Sequence, residues 1–314
     1  MRECAVRTLF ATLASLCLAS GPLAAEPHSS VASVLDLGSG ARPLAMGGAF
    51  VGLADDGNAL FFNPAGLARL TSMSSLSSGE LRSGFGLAGQ MAVVLPHLGL
   101  GLHFFDFGDV PQVDEHGNVT GSFSYRTYTL VAAAGVRMAD VGLRAIPLAR
   151  DLGIGIKAKY HVVSTLHPGS GGGPAFDLSL HYGTGKAGAG ASSGFGIGLV
   201  AENLVGIPIK YGSGHEEDWL RSVTFGLAAT VFGSWTVAAD LPVGRGVRFG
   251  VEWCPLPALA VRLGLRSEGV VMWSFGVGVR YGMFALDYAV VVHPYLSPQH
   301  RLSFGLDLLG GRTR

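Results

Sequence analysis

The sequence predicts an all-β protein: a transmembrane antiparallel β-barrel of about 14 strands with an N-terminal hatch inside the barrel. Three observations carry this. Hydrophobic residues make up 48% of the chain and charged residues 14%, against about 25% charged in an ordinary soluble domain, so polar side chains are too few to cover a water-facing surface. The longest charge-free stretch beyond residue 25, Ser83 to Phe105, has the length of a spanning helix but is broken by glycines, Pro96, Gln90 and two histidines. Apolar side chains instead recur with period two along most of the chain.

Residues 1–25 stand apart. Arg2 and Arg7 precede the apolar run Leu9 to Leu18, and the small-residue end "GPLAA" precedes Glu26, which is the layout of a cleaved secretory signal. Leu16 before Cys17 does not suit a lipoprotein cleavage site. Cys4 and Cys17 leave with the signal, and Cys254 then has no partner, so neither a disulfide framework nor a Cys-rich metal site is expected.

Residues 26–72 are not strand-like. Their core is "GGAFVGLADDGNALFFNPAGLA", Gly47 to Ala68. Asn63 reads as an N-cap with Pro64 in the first helical position and Ala65 behind it, and Asp55 and Asp56 are placed to cap "GNALFF". The segment is too apolar to float free, so its expected place is inside the barrel as a gating hatch. A membrane-surface or periplasmic arm is the plainer alternative.

Residues 73–310 hold the barrel. In "LGIGIKAKY", Leu152, Ile154, Ile156, Ala158 and Tyr160 share one face, while Gly153, Gly155, Lys157 and Lys159 share the other. The alternation recurs in seven further clear strands, and weaker ones bring the count to fourteen, which closes a barrel with both ends on one side. The second face is mostly Gly, Ala and Ser with scattered charge. A soluble sheet would carry many polar side chains there, whereas a barrel lumen accepts this composition. Lys157, Lys159, Arg248, Arg262, Arg266 and Arg280 are therefore the candidate lumen-facing residues, able to line a permeation path and meet an anionic head group; balancing Glu252 and Asp307 is the plainer role. Short turns such as Leu81 to Gly84 and Tyr281 to Met283 are expected on the periplasmic side. Long loops such as "GDVPQVDEHGNVTG", "LHPGSGGGPA" and "GIPIKYGSGHEEDW" are expected outside.

Chemical motifs are weak against this background. "GFGLAG" and "GTGKAG" match G-x-G-x-x-G without a strand–loop–helix context, and the second lacks the hydroxyl residue of a P-loop. No G-x-S-x-G or H-E-x-x-H occurs, and "HEEDW" reads as a solvated loop cluster. No catalysis, cofactor, metal or nucleic-acid partner is expected.

"GARPLAMGGAFVGLADDGNALFFNPAGLA" resembles the N-terminal signature of the FadL-like outer-membrane proteins, particularly the PorV/PorQ branch. "FFDFGDV", "LGIGIKAKY", "AENLVGIPIKYG", "FALDYAV" and "HRLSFGLDL" extend the likeness over nearly the whole chain after residue 25. The resemblance implies a fourteen-stranded barrel in the bacterial cell outer membrane, with a hatch carrying the Asn63, Pro64, Ala65 element. It also implies one of two roles. The first is a passive channel for hydrophobic small molecules, fatty-acid or hydrocarbon-like, with lipid and ligand as partners. The second is a noncatalytic PorV-like component of a secretion or surface-assembly machinery, with secretion-complex proteins as partners.

Overall fold

Residues with alternating large apolar and small side chains form strands because the pleat sends neighbours to opposite faces. A computed structural model describes residues 38–82, 86–143, 150–166, 169–184 and 193–308. The expected signal at 1–25, the start of the hatch at 26–37, the "GTGKAG" loop beyond Thr184 and the end of the chain past residue 308 lie outside the described residues.

The strands are β1 (Ser74–Arg82), β2 (Gly86–Leu95), β3 (Leu98–Val113), β4 (Val119–Arg137), β5 (Leu152–Ser164), β6 (Gly171–Thr184), β7 (Ser193–Gly206), β8 (Ile209–Tyr211) and β9 (Glu216–Glu217). They continue with β10 (Ser222–Val231), β11 (Trp235–Pro242), β12 (Val247–Leu256), β13 (Leu259–Glu268), β14 (Val270–Tyr281), β15 (Phe284–Val292) and β16 (Gln299–Asp307). Each strand of the ring pairs antiparallel with its neighbours, β7 pairs with β10, and β1 with β16 completes the closure. The short β8–β9 hairpin hangs on β6 outside the ring, which leaves fourteen wall strands. Closure removes every unpaired edge, as a wall facing hydrocarbon requires. No helix among the described residues is long and apolar enough to span a membrane.

The two faces of the wall separate as the alternation predicts. Leu100, Leu130, Ile156, Val261, Val277 and Leu302 are exposed on the outside, while Lys157, Ser179, Asp240, Glu252 and Arg262 are buried inside. β1 departs from the pattern. Ser78 and Glu80 are buried, so Ser74 and Leu76 also point inward, Leu76 packing on the interior apolar cluster around Leu60. Ser75 and Ser77 are then left on the outer face.

All fourteen expected wall strands form, but the connections do not sort as expected. The near end of the barrel is defined here as the one where β1 begins and β16 finishes. β1 ends and β2 begins at the far end, where β3, β5 and β7 also finish; residues 83–85, within the expected turn Leu81 to Gly84, lie outside the described residues. At the same far end Gly269, at φ 79°, joins β13 to β14 alone. Turn length follows how far two partner strands run, not which side they are on. "GDVPQVDEHGNVTG" is thus largely strand: β3 and β4 stay paired to Val113 and Val119, and the Asp114 carboxylate accepts the amides of His116 and Asn118, each at 2.8 Å.

Candidate functional site

Between Gly38 and Leu70 the chain lies against the inner face of the wall. Helix α1 (Ala41–Ala45) and helix α2 (Ala59–Phe62) are single turns, and Pro64–Arg69 is a 3-10 helix, the short helix that Asn63-Pro64 suggested, with Asn63 as its N-cap. α1 packs on β13 to β16, and the 3-10 helix packs on β3 to β6. The linking residues run past β12, β10 and β7, so the segment follows most of the circumference.

Close approach depends on bare backbone in the wall. A Cβ at Gly155 would fall on the Ala65 amide, one at Gly198 on the Val51 carbonyl, one at Gly226 on the Gly52 amide, and one at Gly264 on the Gly47 amide. Gly250 and Gly276 stand likewise against Met46 and Ala45. The small inner face read from the sequence is therefore a seat for a second layer of chain. Residues at 41, 45, 46, 49 and 50 are wholly buried there.

Polar wall side chains fasten the backbone of this layer. The Asp240 carboxylate accepts the amides of Phe50 at 2.7 Å and Val51 at 2.9 Å. Ser303 Oγ accepts the Ala41 amide at 2.7 Å, His181 Nε2 meets the Gly52 carbonyl at 3.0 Å, and Arg301 donates to the Gly38 carbonyl. Each bond satisfies a backbone group that is cut off from water.

Two of the expected hatch residues, Asp55 and Asp56, come together around Arg42, which the sequence reading did not single out. Its guanidinium donates to Asp55 at 2.6 Å, to Asp56 at 2.7 Å and to both oxygens of Glu252 at 2.9 Å. Glu252 also accepts from Arg262 at 2.6 Å, and Arg262 reaches Asp287 at 2.7 Å. Asp56 additionally accepts the Asn58 amide at 2.8 Å ahead of α2, close to its expected capping role, whereas Asp55 is spent on Arg42. Burial opposes the Asp56 charge, but the Arg42 guanidinium outweighs it and holds this carboxyl below its ordinary value.

Asn63 does more than cap. Its Oδ1 accepts the Ala65 amide at 3.2 Å, and its Nδ2 donates to the Val51 carbonyl at 2.8 Å and the Leu180 carbonyl of β6 at 3.1 Å. It ties two parts of the segment to each other and to the wall.

The six basic candidates lie on the inner face, and five of them are paired with carboxylates. Lys157 and Lys159 share Asp177 at 2.9 and 2.8 Å, and Lys157 also donates to the Phe61 carbonyl at 2.8 Å. Arg248 and Arg266 share Glu268, and Arg262 belongs to the Arg42 cluster. Arg280 lines a cavity of about 220 Å³ between the segment and β1, β15 and β16. Asp307, the other expected balance, accepts from Ser72 at 2.7 Å. Asp240, His181 and Ser303 went unnoticed because an inward polar residue on a strand gives no sign of the distant backbone it will meet. Among the described residues no group of three or more His, Cys, Asp or Glu could hold a metal ion.

No protein-family model matches the chain, and no curated protein matches it in sequence. Solved structures do match in fold. The Pseudomonas putida toluene transporter TodX superposes with a TM-score of 0.56 at 14% identity, over 85% of this chain and 96% of that one. The monoaromatic hydrocarbon channel CymD gives 0.57 at 11% identity, over 88% and 99%. A Pseudomonas aeruginosa FadL homologue gives 0.51 at 9% identity, over 86% and 98%. At these identities the likeness is one of fold.

Proposed function

We propose that this protein is an outer-membrane channel for passive uptake of hydrophobic small molecules, long-chain fatty-acid or hydrocarbon-like, and that its N-terminal segment is the gating hatch. Residues 1–25 are the export signal, 26–72 the hatch and 73–310 the barrel. The observation that carries the reading is a closed apolar-faced wall whose lumen is crossed by a separately seated segment, with open space left along one side. Its fold likeness to TodX, CymD and a FadL homologue, whose names describe transport of hydrocarbons or kinship with FadL, supports the same reading. Entry needs no energy source: burying apolar ligand surface contributes about 25 cal/mol per Å². No chemical step is assigned to the protein, and Asp55, Asp56, Asn63, Pro64 and Ala65 are its gating elements.

A noncatalytic PorV-like role in a secretion or surface-assembly machinery is the second reading. It is favoured by the lumen charges, which are engaged within the protein and leave the basic residues little to offer a passing head group. Two measurements on protein extracted in mild detergent separate the roles: mass spectrometry of co-purifying molecules, and uptake of toluene or oleate into proteoliposomes. Faster uptake than in empty vesicles, with retained hydrophobic ligand, supports the channel. Unchanged uptake with stoichiometric co-purifying protein supports the assembly role.

A further inference from the structure

Ser78 and Gln90 face each other across the β1–β2 pair. They are 7% and 1% exposed. Ser78 Oγ and both side-chain polar atoms of Gln90 have no partner in the protein, and both residues line the cavity beside the N-terminal segment. Buried polar groups are ordinarily hydrogen-bonded, because leaving them bare costs free energy. Other lumen side chains keep a single unmet atom, among them Arg301 Nε, His181 Nδ1 and Asp240 Oδ1, but each is bonded through another atom. Glu80, the next inward position on β1, holds Arg301 and Gln299, and His103, opposite Gln90 on β3, meets Ser39 Oγ at 3.4 Å.

The remaining lining restricts what could complete the pair. Asp56, Asp287 and Asp307 also border the cavity, but the first two are bound to Arg42 and Arg262 and the third to Ser72. Of the cations there, Arg42 is held by Asp55, Asp56 and Glu252, and Arg280 is itself engaged. What Ser78 and Gln90 offer is neutral: a hydroxyl, an amide donor and an amide acceptor side by side. Leu70, Leu76 and Met283 supply apolar surface in the same space. At about 220 Å³ the cavity is smaller than the roughly 300–1,000 Å³ of drug-sized sites, which suits one ring better than a long acyl chain.

We propose that this cavity binds a small neutral molecule bearing a hydroxyl on an apolar body, a phenol being the simplest case. These polar atoms are closed off in the unliganded protein, so binding requires Gln90 and Ser78 to turn toward the ligand. Its hydroxyl then donates to Gln90 Oε1 and accepts from Gln90 Nε2 or Ser78 Oγ, while the ring lies toward Leu70, Leu76 and Met283. The assignment names a ligand class for the channel reading and rests on it for the route of arrival.

Phenol and toluene have nearly the same shape and differ in the group that matters. Equilibrium dialysis of the detergent-solubilised protein should give phenol about tenfold tighter binding than toluene, as one or two extra hydrogen bonds provide. The double variant Ser78→Ala, Gln90→Leu should lose that preference and keep toluene. Leu76→Trp, which fills the cavity and leaves the polar pair intact, should exclude both ligands. Equal binding of phenol and toluene by the parent, an unchanged preference in the double variant, or no binding of either would overturn the site. Should the double variant fail to assemble, the parent's preference together with Leu76→Trp still decides. Proteoliposome uptake keeps the two claims apart: selective binding without passage leaves the site standing and ends the channel reading, while passage without selectivity does the reverse.

Discussion

The two sides of the lumen are built on different terms. Along β10 to β14 the N-terminal segment lies directly on wall backbone, over Gly226, Gly250, Gly264 and Gly276, and its amides end on Asp240. Beside β1 and β2 the same segment leaves a cavity, bordered also by β15 and β16 although α1 packs on those two strands, with Ser78 and Gln90 unpartnered in its wall. One region is a glycine-seated joint, and the other borders a cavity of about 220 Å³. The glycine-seated joint fixes the segment on wall backbone, so perturbing it should cost far more than perturbing the wall around the cavity.

The strongest break in that comparison is Gly264→Val. The first added carbon would occupy the position of the Gly47 amide, which neither backbone can vacate without moving the segment. Heat-modifiable gel mobility should survive, since the strand ladder is untouched, while proteoliposome conductance rises and the midpoint of thermal unfolding falls more than in any other variant here. Gly79→Val on β1, where a Cβ meets nothing within 4 Å, should match the parent. A wall that tolerates both substitutions equally would mean that the segment is not seated on glycine.

Arg42→Met comes next. It leaves Asp55 and Asp56 without their shared guanidinium and Glu252 with Arg262 alone. Breaking a buried pair from one side costs about 3–5 kcal/mol. The loss falls on docking of the segment, so proteolysis within residues 46–57 should accelerate while the barrel remains resistant. If cleavage stays as slow as in the parent, glycine seating alone fixes the segment.

How legible this was depended on whether a residue's partner was local. The strands were readable because each outward apolar residue announces its face two positions on, as from Leu152 to Tyr160. β1 was the weakest because Leu76 points in and Ser75 and Ser77 point out, which inverts the signal. The Asn63-Pro64 turn was readable as a cap because Asn63 Oδ1 and the Ala65 amide are two residues apart. The pairings of Arg42 with Glu252 and of Asp240 with Phe50 were not, since they span 210 and 190 residues and no period connects them. Lumen glycines looked like small filler, because composition cannot tell a residue beside empty space from one beside another backbone.

Asn63→Ala tests the junction between these sides. A lone cap costs about 0.5–2 kcal/mol. Here the change also strands the Val51 and Leu180 carbonyls that Nδ2 serves, and an unmet buried acceptor costs about 1–3 kcal/mol. The segment should therefore lose roughly 2–3 kcal/mol of local stability by hydrogen exchange. Pro64→Gly, which touches only chain entropy, should lose under about 1 kcal/mol. Equal effects would reduce Asn63 to a turn former.

Acid should produce the smallest effect, and its sign follows from Asp56. This carboxyl titrates below its ordinary value in the folded protein because Arg42 outweighs the burial that opposes its charge. A group depressed in this way contributes stability above its unfolded value, near pH 3.9, and the contribution fades as pH falls through the folded value. Protease protection of the segment should therefore hold steady from about pH 7 to about pH 5 and weaken only below about pH 4. Asp56→Asn keeps the side chain's shape and its contact with the Asn58 amide but carries no proton-sensitive charge. The variant should start slightly less protected at neutral pH, since Arg42 keeps Asp55 and Glu252, and should show a shallower decline in acid. A parent whose protection already falls between about pH 7 and pH 5 would place the sensitive group elsewhere than in the Arg42 cluster, and Asp240, whose carboxylate holds the Phe50 and Val51 amides, would be the first to probe.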